Sequence, residues 1–165
     1  MIYIKKLSNK NANKKYLSWM KDQEVHEFTE QRYEKFSIKK IKKFICDKNR
    51  SKHEFLYGIF LKDNDEHIGN IKLGPINFHH KRSEVSYFIG ERKYWGCGYA
   101  HHAIIEIIRI AKKKKIKKLK AGCYSKNKSS IKVLKKCKFK IEGKLKSEII
   151  YKKRRITGYI FGLLI

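Results

Sequence analysis

The spacing of apolar residues along the chain separates amphipathic helices from short strands. The clearest predicted helix has apolar residues three or four positions apart, at Ala100, Ala103, Ile104, Ile107, Ile108 and Ala111. Three strand-like runs precede it, at Phe55–Leu61, His67–Leu73 and Arg82–Ile89, and a polar turn joins the first two. These runs predict an antiparallel meander that leads into the helix.

Shorter patterns complete the predicted order of elements. Ile2–Lys6 predicts a first strand, Asn11 or Asn13 can cap a first helix, and Ser37 can cap a second one. Beyond the main helix we expect a strand over 119–123 and a helix over 130–137. Final strands are predicted at Phe139–Glu142 and Ile156–Leu164, joined through the basic turn Lys152–Arg155. The order β-α-α-β-β-β-α-β-α-β-β predicts one α/β domain over residues 1–165 with a mixed sheet.

Composition narrows the class of protein. The chain has 165 residues, of which 41% are hydrophobic, enough for one globular domain. Its four cysteines form no CxxC pair and have no histidine at zinc spacing, so we expect reduced thiols, a cytoplasmic location and no metal site. The N-terminal segment lacks the apolar core of a signal peptide, and no apolar run approaches the ~18 residues of a membrane span. We therefore expect neither a secreted scaffold held by disulfides nor an integral membrane protein.

The charge is strongly positive but carries little information on specificity. The net charge is +27, and 35 of the 42 basic residues are lysine. Such a surface attracts anions and phosphates. No RNP-like run, helix-turn-helix spacing or zinc finger is present, so specific nucleic-acid recognition is not expected. A non-enzymatic, basic RNA-binding protein remains an alternative at this point.

The segment between the third strand of the meander and the main helix carries the candidate chemistry. Glycines at 96 and 98 stand in a turn that opens a helix, where unpaired amides and the helix dipole suit a pyrophosphate. The run Lys93-Tyr94-Trp95-Gly96-Cys97-Gly98-Tyr99-Ala100 resembles the (Q/R)xxGx(G/A) acetyl-CoA loop of the GNAT acetyltransferases. Three further segments are similar to motifs of the branch that contains the ribosomal-protein N-acetyltransferases: Asn127-Lys128-Ser129-Ser130, Leu134 to Gly143, and Trp19 to Val25.

This resemblance implies a GNAT-like, mixed and mostly antiparallel central sheet flanked by helices, with acetyl-CoA as cosubstrate. The amides around the loop would hold its pyrophosphate, the strand end would pair with the pantetheine arm, and Asn127 and Ser130 would contact it. The implied cofactor-binding residues are Phe88, Ile89, Lys93, Gly96, Cys97, Gly98, Tyr99, Ala100, Asn127 and Ser130. Leu134 stands where many members of the family have a tyrosine acid, so another group must protonate the leaving thiolate.

Catalysis of amine acetylation needs a base, because an aliphatic ammonium with a pKa of about 10 must first lose a proton. Glu84 is the first candidate base, since it lies on the strand that leads into the loop, and Glu148 is the second. Ser130 is the first candidate acid and Tyr124 the reserve.

The acceptor is predicted less directly. The candidate acceptor-binding residues are Glu30 for an ammonium and Arg32 for a phosphate, in a segment expected to be irregular and close to the cofactor cleft. His79 and His80, in a loop expected beside it, complete the set. The positive surface favours an acceptor that carries a diphosphate, so the first hypothesis is the amine of a nucleotide-linked amino sugar in bacterial surface-polysaccharide synthesis. The alternative is the N-terminus of a ribosomal protein. No membrane partner is expected, and the protein is predicted to be a monomer or a homodimer.

Overall fold

The computed structural model describes residues 1–165. Seven strands, β1 to β7, and five α-helices, α1 to α5, are joined by short loops and 3-10 turns. The strands are β1 Ile2–Lys6, β2 Phe55–Leu61, β3 His67–Asn77, β4 Arg82–Ile89, β5 Lys118–Tyr124, β6 Lys140–Tyr151 and β7 Arg154–Leu164. The helices are α1 Lys14–Lys21, α2 Gln23–His26, α3 Ile38–Arg50, α4 Tyr99–Lys113 and α5 Lys128–Lys136.

All seven strands form one sheet in the order β1-β2-β3-β4-β5-β7-β6. Every neighbouring pair is antiparallel except β4 and β5, which are parallel. This arrangement confirms the mixed, mostly antiparallel sheet flanked by helices that the sequence predicts.

Two apolar cores cover the two faces of the sheet. The larger core packs α4 and α5 against one face through Ile104, Ile107 and Leu134. The smaller core packs α1 and α3 against the other face through Trp19, Ile45 and Phe60. Burial of an apolar face on each helix is the main source of stability for such layers. No helix combines the length and the apolar character needed to cross a membrane.

Local signals place the helix starts where the sequence predicts them. Of the two candidate caps for α1, Asn13 is the one used, since its side chain accepts from the Tyr16 amide at 3.0 Å. Ser37 accepts from the Lys40 amide at 3.2 Å and caps α3. Each cap satisfies an amide that the first turn of a helix leaves without a partner.

Of the last two strands, β6 is much longer than predicted, and β7 begins two residues earlier. The sequence places them at Phe139–Glu142 and Ile156–Leu164, whereas β6 and β7 form a hairpin with its turn at Lys152 and Lys153. Both turn lysines have positive φ, 47° and 61°, without the Asn or Gly that marks such turns. β6 is an exposed edge strand rich in lysine, so main-chain pairing rather than an apolar pattern holds it. The structure also adds the short helix α2, which the sequence pattern does not predict.

Candidate active site

The loop before α4 leaves a cluster of backbone amides without partners. Gly96 and Gly98 adopt φ of +79° and +80°, and an added Cβ at either position would meet no atom within 4 Å. The amides of five consecutive or neighbouring residues donate to no acceptor in the protein: Gly96, Gly98, Tyr99, Ala100 and His101. They stand at the positive end of the α4 dipole. The residues present therefore fit a phosphate-bearing cosubstrate, as the glycine pattern predicts.

Side chains around the loop hold it against the sheet. The Trp95 Nε1 donates to the Ile89 carbonyl at 2.8 Å, and the Tyr94 hydroxyl donates to Glu66 at 2.6 Å. The Lys93 ammonium also lies 3.3 Å from Glu66. Hydrogen bonds from Lys15 and then Tyr94 lower the pKa of Glu66 to about 2. Lys93, predicted as a cofactor-binding residue, is thus paired with a carboxylate. This ion pair with Glu66 helps to position the loop.

The exposed thiol of Cys97 contacts only the Trp95 carbonyl, at 3.8 Å. All four cysteines of the chain are free thiols.

Next to this loop the sheet divides. β4 and β5 pair only over Arg82–Glu84 with Lys118–Lys120, and the rest of each strand diverges. The Gly90 amide donates to Ile68 on β3, while the Lys81 carbonyl accepts from the amides before β5. Because backbone groups alternate in direction along a strand, Val85, Tyr87 and Ile89 turn theirs toward the gap. The result is a V-shaped cleft, one wall of which carries backbone groups that no neighbouring strand pairs; of these, the Ile89 carbonyl accepts from Trp95 Nε1.

This geometry corrects one predicted residue and adds another. Phe88 pairs in register with Asn70 of β3, so its backbone faces away from the cleft, and its side chain packs in the smaller core. Tyr87, which no sequence motif indicates, presents its backbone to the cleft instead. The two residues differ in which of them directs its backbone hydrogen-bonding groups toward β3. The observed register between β3 and β4 decides this.

The cleft leads into a cavity of about 1090 Å³ between β4, the β6–β7 hairpin and the segment that follows α2. Its wall carries five carboxylates and four cations, in a protein whose net charge is +27. Glu34 lies 3.6 Å from Lys40, and Asp47 lies 2.8 Å from Lys43. Glu84 and Glu148 also line the cavity, but neither has a cation within 4 Å.

Ser130 and Asn127 meet Tyr87 where α5 begins. The Asn127 Oδ1 accepts from the Ser130 amide at 3.0 Å and so caps α5. The Ser130 and Tyr87 hydroxyls lie 2.9 Å apart. Burial raises the pKa of Tyr87, and its hydrogen bond with Ser130 opposes that rise only in part. A short chain of hydroxyls therefore extends from the cleft into the core.

Tyr124, Glu30 and Arg32 form a connected group on the opposite wall. The Tyr124 hydroxyl donates to Glu30, and burial followed by this bond raises the pKa of the tyrosine. Arg32 donates to the carbonyls of Glu27 and Ile150, at 2.7 and 3.0 Å, and so joins the segment after α2 to the β6–β7 hairpin. Arg32 was predicted to bind an acceptor phosphate, but its guanidinium is already engaged by carbonyl oxygens.

The predicted acceptor loop at His79 and His80 does not reach the cavity. Both histidines are exposed and contact each other, with ring centroids 4.8 Å apart. They lie in the turn that starts β4, whereas the glycine loop follows the other end of that strand, about 23 Å away at 3.3 Å per residue. Neither histidine lines the cavity. That part of the site prediction was wrong, because His79 and His80 lie before the first residue of β4, whereas the glycine loop follows its last residue.

A sheet that divides between two parallel strands, beside a glycine loop that opens a helix, defines an acyl-CoA-binding class of fold. The family model described as "Acetyltransferase (GNAT) domain" matches residues 2–140. The chain therefore belongs to the GNAT acetyltransferase family. Members of this family are acetyltransferases, and acetyl-CoA is their donor. Membership favours an enzyme over the non-enzymatic RNA-binding alternative.

Individual relatives differ in what they acetylate. The chain is 32% identical over 109 residues to an uncharacterized N-acetyltransferase, p20, of Bacillus licheniformis, a match that spans 66% of the chain and 61% of that relative. Its fold is similar to spermidine N-acetyltransferase from Vibrio cholerae in complex with CoA and spermine, with a TM-score of 0.87 and 16% identity over 99% of this chain and 95% of the other. It is equally similar to RimL, a ribosomal alpha-N-protein acetyltransferase in complex with coenzyme A, with a TM-score of 0.87 and 14% identity over 99% and 94% of the two chains. At these identities the structural matches establish the fold and leave the acceptor open.

Proposed function

We propose that residues 1–165 act as one acetyl-CoA-dependent N-acetyltransferase domain that acetylates a primary amine of a small molecule by direct transfer. The observation that carries this proposal is the cavity with two unpaired carboxylates, Glu84 and Glu148, beside the divided sheet. An amine acceptor enters as an ammonium, and a carboxylate both attracts it and removes its proton. The cavity has walls on β4, the β6–β7 hairpin and the segment after α2, which supports a small molecule over a protein N-terminus.

Within the amines, we propose a nucleotide-linked amino sugar as the acceptor. Uncharged hydrogen-bonding side chains on the cavity wall suit a polyhydroxylated molecule, among them Thr29, Gln31 and Ser86. The surrounding surface, with its net charge of +27, attracts a diphosphate. The second candidate is a polyamine, which the carboxylate excess on the wall favours.

Each group has a separate role in the proposed reaction. Acetyl-CoA supplies the activated acetyl group as a thioester. Glu84, exposed on β4, or Glu148, exposed on β6, takes the proton from the ammonium. The unpaired amides of β4 in the cleft stabilise negative charge on the reacting carbonyl. Ser130, whose hydroxyl is hydrogen-bonded to that of Tyr87, gives a proton to the leaving thiolate. Tyr124 is the second candidate for this role.

We further propose a cytoplasmic, bacterial setting and a monomer or homodimer. The free thiols are consistent with a reducing compartment, and the relatives whose organisms are given above are bacterial.

The experiment that tests the function has two parts. Calorimetry at about 150 mM salt, where the Debye length is ~8 Å, measures acetyl-CoA affinity for the wild type and for Gly98→Trp, which blocks the loop. Wild-type binding that the variant loses supports the loop as the donor site. Steady-state rates are then compared for a UDP-linked amino sugar, free glucosamine, spermidine and a short peptide with a free N-terminus. Preference for the sugar supports the first acceptor, preference for spermidine the second, and exclusive use of the peptide overturns both.

A further inference from the structure

The cavity has an inner end that the proposed reaction does not use. We name it the inner chamber and define it by Tyr16, His26, Asn70 and Phe88, which line the cavity between the sheet and the helices of the smaller core. The Phe88 ring packs near two of the other lining rings, with its centroid 5.4 Å from that of His26 and 6.5 Å from that of Tyr16. Asn70 is the cross-strand partner of Phe88.

The orientation of the Asn70 amide follows from its contact with His67. The His67 Nε2 lies 3.0 Å from the Gly69 carbonyl oxygen and 2.9 Å from Asn70 Oδ1. A carbonyl oxygen can only accept, so Nε2 must carry the proton, and the Asn70 amide must turn its own oxygen toward it. Burial lowers the pKa of His67 to about 4, which leaves the ring neutral near pH 7.

The Asn70 Nδ2 consequently faces the other way and has no partner. Asn70 is only 2% exposed, and Nδ2 is buried without a hydrogen bond. Burying an amide donor without an acceptor costs free energy, and native proteins leave few such groups without a reason.

Two further polar groups of the inner chamber also lack partners. The His26 Nε2 is buried without a hydrogen bond, and burial lowers the pKa of this ring. Tyr16 is 3% exposed, and its hydroxyl makes no hydrogen bond within the protein. Three unpartnered groups around one aromatic ring, on the wall of one cavity, form a site and not an isolated defect.

We infer that the inner chamber is a specificity subsite that binds one uncharged hydroxyl or carbonyl group of the acceptor, with Asn70 as the donor and Tyr16 and His26 completing the contacts. This inference rests on the proposed function and deepens it. A hydroxyl satisfies all three groups, because it can donate and accept at once. A second ammonium is excluded, because the inner chamber holds no carboxylate and an unpaired buried charge is costly. The subsite therefore favours an amino alcohol or amino sugar over a polyamine.

The test uses pairs of amines that differ by one hydroxyl. The probes are glucosamine with its 3-, 4- and 6-deoxy analogues, and 5-aminopentan-1-ol with pentylamine, each acetylated from acetyl-CoA by the wild-type chain. We expect one hydroxyl in a pair to raise kcat/KM by about tenfold, the value of one well-satisfied hydrogen bond. Tyr16→Phe should reduce that preference severalfold, and Asn70→Leu should abolish it.

A matched control and a stability measurement separate recognition from folding. Tyr57→Phe changes another buried tyrosine without a hydrogen bond, which lies on the opposite face of the sheet in the larger core, and it should leave the preference unchanged. Asn70→Leu removes an unsatisfied donor but also one of the two acceptors of the His67 Nε2, whose contact with the Gly69 carbonyl remains, so the unfolding temperature should change little. Tyr16→Phe removes only one hydroxyl, so it remains informative if Asn70→Leu does not fold.

The outcomes are distinguishable. If the wild type acetylates these amines but the preference is absent, or survives both variants, the inference fails and the proposed function stands. Acetylation of spermidine without either pair also overturns the inference alone, whereas exclusive acetylation of the peptide overturns the small-molecule function together with the inference. If the wild type acetylates no amine, the proposed function fails and takes the inference with it.

Discussion

A single methyl group at Gly98 should separate donor binding from stability. Gly98 has φ of +80°, and the Cβ of Gly98→Ala would meet no protein atom within 4 Å. The left-handed conformation costs an alanine about 1–2 kcal/mol, so the free energy of unfolding should fall by that amount. This strain is present with and without acetyl-CoA, and it therefore cancels in the dissociation constant.

Binding should change for a different reason. The empty space beside Gly98 is where a phosphate oxygen must approach the free amides of the loop to about 2.9 Å. A methyl group there displaces the phosphate from about two such contacts, each worth about 1.5 kcal/mol when the acceptor is charged. Together they predict a rise in the dissociation constant of about 100-fold.

The assay pairs calorimetric titration with acetyl-CoA and urea unfolding of the same preparations. Gly98→Asn is the matched variant, because asparagine tolerates the left-handed region better but still adds a side chain. It should lose less stability than Gly98→Ala and as much affinity. A dissociation constant within twofold of wild type, alongside the expected loss of stability, would refute the assignment of this loop to the pyrophosphate.

Further predictions concern the carboxylates, a cap and the acid limb of stability. Glu84→Gln or Glu148→Gln should lower kcat/KM by about 100-fold or more, whichever residue is the base, and rates near wild type in both would leave only a water chain. Asn127→Ala and Asn13→Ala each remove a helix cap and should each cost about 1 kcal/mol in urea unfolding, but only Asn127→Ala should also lower activity. The pKa of Glu66 is held at about 2, below its unfolded value, so its stabilisation is complete above the unfolded pKa and is lost as the pH falls toward 2. Glu66→Gln should therefore flatten the loss of unfolding free energy over that acid range, and an unchanged pH profile would contradict the ion pair.

Local sequence signals predicted the parts of the site that depend on local structure. The 3.6-residue period of α4 and the glycines before it are enough to place the loop that opens this helix. These features depend on backbone conformation over a few residues, which the sequence specifies directly.

The parts that failed depend on how distant strands pair. Whether Tyr87 or Phe88 faces the cleft is decided by the register with β3, and a shift of one residue exchanges the two. His79 and His80 look suitable for chemistry, but the direction of β4 places them at the wrong edge. The orphaned amide of Asn70 depends on a contact with His67, which no spacing rule reveals.

The divided sheet has a consequence for the solubility of the protein. Past Glu84, β4 loses its neighbour on one side, so a strand in the middle of the sheet exposes backbone groups as an outer edge would. Exposed strand edges are templates for pairing between molecules and hence for aggregation. Acetyl-CoA bound in the proposed site would cover these groups, so the supply of acetyl-CoA should protect the protein from self-association as well as support the reaction. The lysine-rich surface, through repulsion between copies, gives the empty protein a second protection.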